Sequence, residues 1–337
     1  MKKIKALVLF SGGLDSILAV KVLQEQNIEV EGITFESNFF GAEKAKISAR
    51  DIGIKLHIID ISQDILDLVK NPLSGLGKAM NPCIDCHALM IRKAGEFIGD
   101  FSFLASGEVL GQRPFSQNKP ALNRVVKLAG REILRPLSAK LLKETQIENS
   151  GLVNREKLLD ISGRGREQQL SLAKKYKIKS FPTPSGGCLL TEVEFGKRLK
   201  ELITKWPDCD IEDAEIIKNG RIFWANFKEK QTIVIIARDK NESQRLEKLA
   251  RKGDNVVEII GATGPTTLIR TKESREDFSI EENIFEIQIP AEPLNNNVFE
   301  KNFQNQKELL ETICRLTGHY SPKLRGTKQK FEIKIIK

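Results

Sequence analysis

Apolar and polar positions along the first hundred residues alternate between two rhythms. Short apolar, β-branched-rich runs stand at 4–10, 30–35, 56–59 and 103–106. Between them, apolar residues recur at helical spacing over 15–26, 42–52, 63–70 and 84–98. Strand and helix patterns alternating at this interval predict βαβ units, and so a parallel sheet covered by helices on both faces. Ligands of such sheets bind beyond the carboxyl ends of the strands. The rhythm then breaks. Residues 111–140 carry Gly, Pro and Asn among scattered basic residues and read as a substrate-facing loop. Helical spacing returns at 140–147, 156–161 and 166–176 and, after the Pro/Gly-rich FPTPSGGCLL, at 193–202. Trp206-Pro207-Asp208 reads as a boundary. Beyond it, strands are expected at 220–227, 231–237, 256–260, 266–270 and 331–336, with helices at 242–252 and 306–317. Two domains follow, 1–205 and a smaller α/β domain over 206–337.

Composition adds a partner class. Of the 337 residues 40% are hydrophobic and 29% charged, the balance of a soluble globular protein. No apolar run approaches the ~20 residues that cross a bilayer. The opening MKKIKALVLF is basic then apolar, but its run is short for a signal peptide and no small-residue cleavage site follows. A cytoplasmic protein without membrane contact is expected. Net charge is +9, and it is segregated. Arg113 to Lys143 holds eight basic residues against Glu132 alone, and Pro322 to Lys337 six against Glu332 alone. Clustered positive charge suits a polyanion, because each neutralised phosphate releases condensed counterions.

Candidate chemistry begins at Ser11-Gly12-Gly13-Leu14-Asp15-Ser16, between the first strand and the first helix. A glycine pair lets backbone N–H groups approach an anion, and the following helix adds its unpaired N–H groups and positive dipole end. Ser11 and Ser16 can donate hydroxyl hydrogen bonds; Asp15 can accept one or approach phosphate-bound magnesium. The lysine of a Walker A loop is absent, as is the GxGxxG spacing of a dinucleotide site. On residue types alone, an ordinary turn remains open.

The five cysteines, an odd count, argue against a disulfide framework. Cys83 and Cys86 form a CxxC in NPCIDC, just before or within the first turn of a helix, where thiolates are favoured. Cys188 follows a glycine pair in PSGGC. These residues leave three readings open. A zinc site would draw further ligands from His87, Cys188 or Cys209. Three thiolates also suit a [4Fe–4S] cluster with one open iron, or a reactive cysteine pair.

SGGLDS resembles the pyrophosphate loop of the N-type ATP pyrophosphatases. The series SGGLDS, NPCIDCHALMIRKA, ASGE, GQRPFSQN, LRPL and PSGGCLLT, in this order over residues 1–205, resembles the tRNA thiouridylases, that is, the 2-thiouridylases and 4-thiouridine synthetases. The resemblance implies an adenine nucleotide alpha hydrolase-like, Rossmann-like α/β fold. It implies ATP, with Mg2+, on Ser11, Gly12, Gly13, Asp15 and Ser16, an adenine pocket at Thr34 and Phe35, and a second nucleotide-facing turn at Ser106 and Gly107. It implies tRNA as substrate, a uridine carbonyl oxygen activated as its adenylate, and a sulfur donor, either sulfide or a persulfide-carrying protein. Cys86 and Cys188 match the family's essential cysteines. Cys83 stands where many 2-thiouridylases have Asp, a departure that favours a cluster held by Cys83, Cys86 and Cys188 over a persulfide on Cys188 resolved by Cys86.

The other candidates carry weaker expectations. His57 reads as a core histidine, and His87 as solvent-facing. Cys209 reads as exposed, Cys314 as packed, and Arg113 and Arg135 as surface or phosphate-binding. The stretch Thr232–Ala250 weakly resembles the RNA-binding domain of ribosome-quality-control (NFACT) proteins. Residues 206–337, ending in the basic tail, are therefore expected to help grip the tRNA, with a stabilising or dimerising appendage as the alternative. Rival readings are a small-molecule ATP pyrophosphatase with structural Zn2+, of the deazaguanine nitrile synthase kind, and a non-catalytic RNA-binding adaptor. A homodimer stays open, as does C2 against C4 of uridine.

Overall fold

The computed structural model describes residues 3–181, 187–271, 283–292, 299 and 302–336. The chain divides into two compact units, Met1–Lys197 and Arg198–Lys337.

In the first unit, β1 (Lys5–Leu9), β2 (Glu29–Glu36), β3 (Leu56–Asp60) and β4 (Phe103–Ser106) form a wholly parallel sheet in the order β3-β2-β1-β4. Ala6 stands in register with Val30 on one side and Phe103 on the other. The strands connect through α1 (Leu14–Gln24), α2 (Glu43–Ile52), and the pair α3 (Ser62–Lys70) and α4 (Cys83–Glu96). Strand order reverses between β1 and β4, so the switch-point crevice lies at their carboxyl ends. SGGLDS leaves β1 there, and Ser106-Gly107 leaves β4. α1 is apolar nearly all round because it is a core helix: Ile17, Leu18, Ala19, Val20 and Leu23 are wholly buried, packed with Ala6, Val8 and Ala105.

Between 111 and 140 the expected loop contains a helix, α5 (Lys119–Ala129). The Asn118 side chain accepts from the Ala121 N–H, Pro120 occupies its first turn, and Gly130 ends it at φ +64°. The helices expected at 140–147 and 156–161 are mostly absent. A 3-10 turn (Ala139–Leu141), the one-turn α6 (Gln146–Asn149) and a 3-10 turn (Arg155–Lys157) stand there. The Leu159 and Ile161 N–H groups instead bond the Pro136 and Leu137 carbonyls, an extended pairing that buries Ile161. α7 (Glu167–Lys175) then packs on α1, and α8 (Val193–Lys205) contains the division between units.

The second unit has α9 (Ile211–Ile216), β5 (Arg221–Phe227), β6 (Lys230–Ile236), α10 (Lys240–Leu249), β7 (Asn255–Ile260), β8 (Thr267–Thr271), β9 (Ile284–Gln288), β10 (Asn302–Phe303), α11 (Gln306–His319) and β11 (Lys328–Ile335). Its sheet runs β10-β5-β6-β8-β7-β11-β9 and is antiparallel apart from the β10–β5 pair. Leu309, Ile313 and Cys314 of α11 fill a core with Val234, Val257, Ile269 and Phe331. Beside α9, Arg270 is 1% exposed and forks onto Asp254, with a further bond to Asp213. Cys209, expected at the surface, is buried, and Cys314 is packed. The basic tail is largely β11, where Lys328 pairs with Glu286, and Lys334 with Glu258 and Glu332. Two of the tail's six basic residues therefore pair with glutamates of neighbouring strands. Among the described residues no helix is long and apolar enough to cross a membrane.

Candidate active site

Six sequence segments meet at the carboxyl end of the parallel sheet. In the first, Gly12 has φ +76°, and a Cβ there would come within 2.4 Å of the Lys44 carbonyl oxygen and 2.7 Å of the Ala45 nitrogen. Only glycine allows the loop to press against the first turn of α2. Ser48 clamps it by donating to the Gly12 carbonyl (2.9 Å), and Ser16 donates to the Gly13 carbonyl (2.8 Å). Gly13 caps α1 without any side-chain partner for the helix's first N–H groups. The result is an anion cradle made of backbone.

Gly107 has the same role on the β4 side. A Cβ on it would lie 2.6 Å from the Asp15 carbonyl and the Ser16 nitrogen, so the two turns touch through their backbones. Thr34 and Phe35 are buried near the end of β2, and Ser106 at the end of β4. Asp15 accepts from Gln112 Nε2 at 3.0 Å through Oδ2, while its Oδ1 is buried with no partner.

The thiols stand close by in chain connectivity. Cys83 opens α4, Cys86 closes its first turn by donating its N–H to the Pro82 carbonyl (2.8 Å), and Asn81 Nδ2 donates to Cys83 Sγ (3.2 Å). Cys188 is fixed from the other side. Leu189 N–H bonds the Phe39 carbonyl and Met80 N–H the Leu190 carbonyl. Each thiol is half-buried, and none is in a disulfide. Burial pushes the Cys86 thiol far above its usual range, and the neighbouring Cys188 and Cys83 sulfurs push it further. Cys188 is raised too, first by burial and then by Cys83, against the pull of the Leu190 and Thr191 N–H groups and the Arg113 guanidinium. The raised Cys86 and Cys188 thiols are a donor pair whose ionisation a bound cationic group would favour. Among the described residues no group of three or more His, Cys, Asp or Glu is gathered tightly enough for a single metal ion. The donor type and number fit a sulfur-ligated cluster, which takes three cysteines and leaves an iron open. Residues 182–186, part of the PSGGC segment, lie outside those described.

The supports were less visible in the sequence. His87, expected to face solvent, bonds Glu108 Oε1 through Nδ1 at 2.9 Å, and Arg135, expected at a surface, is buried with Nε 2.9 Å from Glu108 Oε2. Burial opposes ionisation of Glu108, but Arg135 and His87 outweigh it and hold the carboxyl down to about 2. Glu108 thereby locks α4, the ASGE turn and the LRPL segment together. The Arg113 guanidinium acts on the Cys188 thiol only as the weakest of the pulls that favour its ionised form, and Lys44 Nζ is 4.0 Å from where a Gly187 Cβ would stand. His57 is not a core residue: it lies half-buried on β3 and bonds Glu31 (2.6 Å), away from these segments in the chain. Asp15 Oδ1, Asp85 Oδ1, Gln117 Oε1 and Arg135 Nη2, each from one of the six segments, are buried polar atoms without a protein partner. Natural proteins rarely bury such groups without a ligand, water or ion to satisfy them.

The fold is an α/β unit with a glycine loop at the switch point, its helix N–H groups unpaired by side chains, and cysteines on neighbouring segments. No protein-family model matches the chain. It is 34% identical over 95 residues to the tRNA-specific 2-thiouridylase MnmA of Pelobacter propionicus, covering 25% of this chain and 26% of that protein. With MnmA of Cytophaga hutchinsonii it shares 31% identity over 130 residues, 32% of this chain and 35% of that one. The chain thus spans a quarter to a third of the length of these curated relatives. Among solved structures it is similar to a 4-thiouridine synthetase–RNA complex with bound ATP (20% identity, TM-score 0.35, 63% of this chain and 53% of that one). It is also similar to the NH3-dependent NAD synthetase of Campylobacter jejuni (14% identity, TM-score 0.32, 65% and 84%).

Proposed function

We propose that the chain is an ATP-dependent tRNA sulfurtransferase, which replaces a uridine carbonyl oxygen by sulfur. One observation carries the reading: Ser48 of α2 holds the Gly12 carbonyl of the glycine loop (2.9 Å), and Leu189, next to Cys188, bonds the Phe39 carbonyl just before α2 (2.9 Å), so loop and thiol are anchored on the same stretch of chain. On this reading the Gly12 and Gly13 backbone, with Ser11 and Ser16, holds the ATP phosphates, and Asp15 Oδ1 takes Mg2+. Thr34, Phe35, Ser106 and Gly107 border the nucleoside.

The uridine oxygen attacks the α-phosphorus, and the bond to pyrophosphate breaks. Sulfide-level sulfur then bonds the activated carbon, and the carbon–oxygen bond to AMP breaks. The adenylate is needed because a carbonyl oxygen leaves poorly and AMP leaves well. Cys83, Cys86 and Cys188 would hold a [4Fe–4S] cluster, whose open iron would offer a binding place for hydrosulfide. If a persulfide on Cys188 supplies the sulfur instead, the Cys86 thiol breaks the S–S bond, leaving a Cys86–Cys188 disulfide for an external thiol to reduce. RNA contact is assigned first to the basic stretch 113–143, which holds eight basic residues against one acidic, whereas two of the three β11 lysines pair with glutamates.

The test is anaerobic purification followed by assay. Brown protein with about four irons per chain is expected for the cluster, and pyrophosphate release should depend on tRNA and accompany thiouridine formation. Full thiolation by iron-free protein would remove the cluster. Release without tRNA would favour the small-molecule pyrophosphatase, and failure to bind ATP the adaptor.

A further inference from the structure

The two most exposed large hydrophobic side chains among the described residues are Phe115, 79% exposed, and Leu73, 70% exposed. Phe115 sits on the loop between β4 and α5, whose Gln112 bonds Asp15 of the glycine loop. That loop is stiff. Gly111 N–H bonds the Gln117 carbonyl (2.7 Å), Gln117 N–H bonds the Arg113 carbonyl (2.8 Å), and Asn118 Nδ2 bonds the Pro114 carbonyl (2.7 Å). Ser116 and Gln117, the next two residues, are buried. Single exposed apolar side chains are ordinary, but this ring stands on a hydrogen-bonded loop with buried anchors on one side, which leaves its π face open to a ligand.

The surroundings identify the ligand class. From Val109 to Arg131 the chain has no Asp or Glu. Arg113 and Lys119 flank the ring in sequence and are exposed. Arg124, one turn further into α5, ties the Leu73 segment to this helix through the Leu73 carbonyl (3.0 Å) and Ser74 Oγ (2.8 Å). One aromatic face set between cations matches one base between two phosphates. A stable protein interface buries roughly 800 Å² of surface per partner, for which one exposed ring is no signature.

We propose that Phe115 is the stacking platform for one nucleobase of the RNA, at or beside the nucleotide offered to Cys188, with Arg113 and Lys119 meeting its flanking phosphates. The assignment rests on the tRNA reading above. It explains why the aromatic stays in water before the substrate arrives: the preordered loop loses little entropy on stacking.

The test uses the full chain and two probes, bulk tRNA from cells that lack thiouridine and a single-stranded oligouridylate. Phe115→Ala should weaken binding of both by about tenfold or more, the usual effect of removing a stacking ring. Phe115→Trp should restore affinity, and Phe115→Leu, apolar but without a π face, should not. The slope of log K against log salt should stay unchanged in all three variants, because no phosphate contact is lost. ATP affinity and melting temperature should also match wild type. Wild-type RNA affinity in Phe115→Ala, or in Phe115→Leu, would overturn the platform while leaving the tRNA reading intact. Unchanged RNA affinity with slower sulfur loading from a carrier protein would overturn it in favour of a protein dock. If the wild-type chain binds neither RNA probe, the tRNA reading itself falls, and the platform with it.

Discussion

Arg270 in the second unit and Asp15 in the first both carry polar atoms out of water, and their surroundings differ. Arg270 makes bonds to Asp254, Asp213 and the Leu249 carbonyl, and Asp213 is shared with Arg251. Every charge in that network has a partner, so nothing is left for a ligand. Around Asp15 the accounting is incomplete: one oxygen is bonded to Gln112, the other is buried and alone, and three thiols crowd together nearby. Closed networks of this kind hold a fold together. Open ones that gather several segments are kept for chemistry, because a structure selected for stability alone would have satisfied them. Glu108 belongs to both kinds, since its closed contacts to His87 and Arg135 hold the open site in place.

The contrast can be broken by mutation. The largest effect is expected at Cys188: Cys188→Ser should lower thiolation more than about a thousandfold, as loss of a reacting group does, while ATP binding persists. Nucleoside analysis of product tRNA reads the first and nucleotide titration the second. Asp15→Asn should slow pyrophosphate release by about 10²–10³-fold, the usual worth of one well-placed polar group. Its stability should move by less than about 1 kcal/mol, since the oxygen altered has no native partner to lose. Arg270→Met should do the reverse. It leaves Asp254 buried without its cation and Asp213 with Arg251 alone, and should destabilise the second unit by about 3–5 kcal/mol in denaturant titrations, with pyrophosphate release per folded molecule intact.

The smallest effect is a pH dependence. Glu108 is held at about 2, below its ordinary 4.5. A depressed carboxyl contributes stability that is present above the unfolded value and lost as pH falls from about 4.5 through about 2. Glu108→Gln should be less stable at neutral pH and should flatten the acid limb of the melting curve. An unchanged acid limb would mean that the His87–Glu108–Arg135 contact holds nothing.

Much of the first unit was legible because local pattern and tertiary role agree there. The strand at 103–106 and the helix over 42–52 came out within a residue of their bounds, and the glycine loop fell at the predicted end of the sheet. α5 was missed because Pro120, Asn123 and the basic residues read as loop, although Asn118 and Gly130 were cap signals in plain view. Glu108, His87 and Arg135 could not be joined by periodicity, as they meet only when α4, β4 and the following segment are packed. The tail misled for the opposite reason. Its lysines are clustered in sequence, but the glutamates that offset them, Glu258 and Glu286, come from other strands.

The claim that ATP activation and sulfur insertion occur on one RNA substrate is tested most directly by mass spectrometry of tRNA nucleosides from cells with and without the gene. The account predicts that 2-thiouridine or 4-thiouridine disappears at one position without the gene and returns with the wild-type chain but not with Cys188→Ser. An unchanged thionucleoside profile in cells lacking the gene would contradict it.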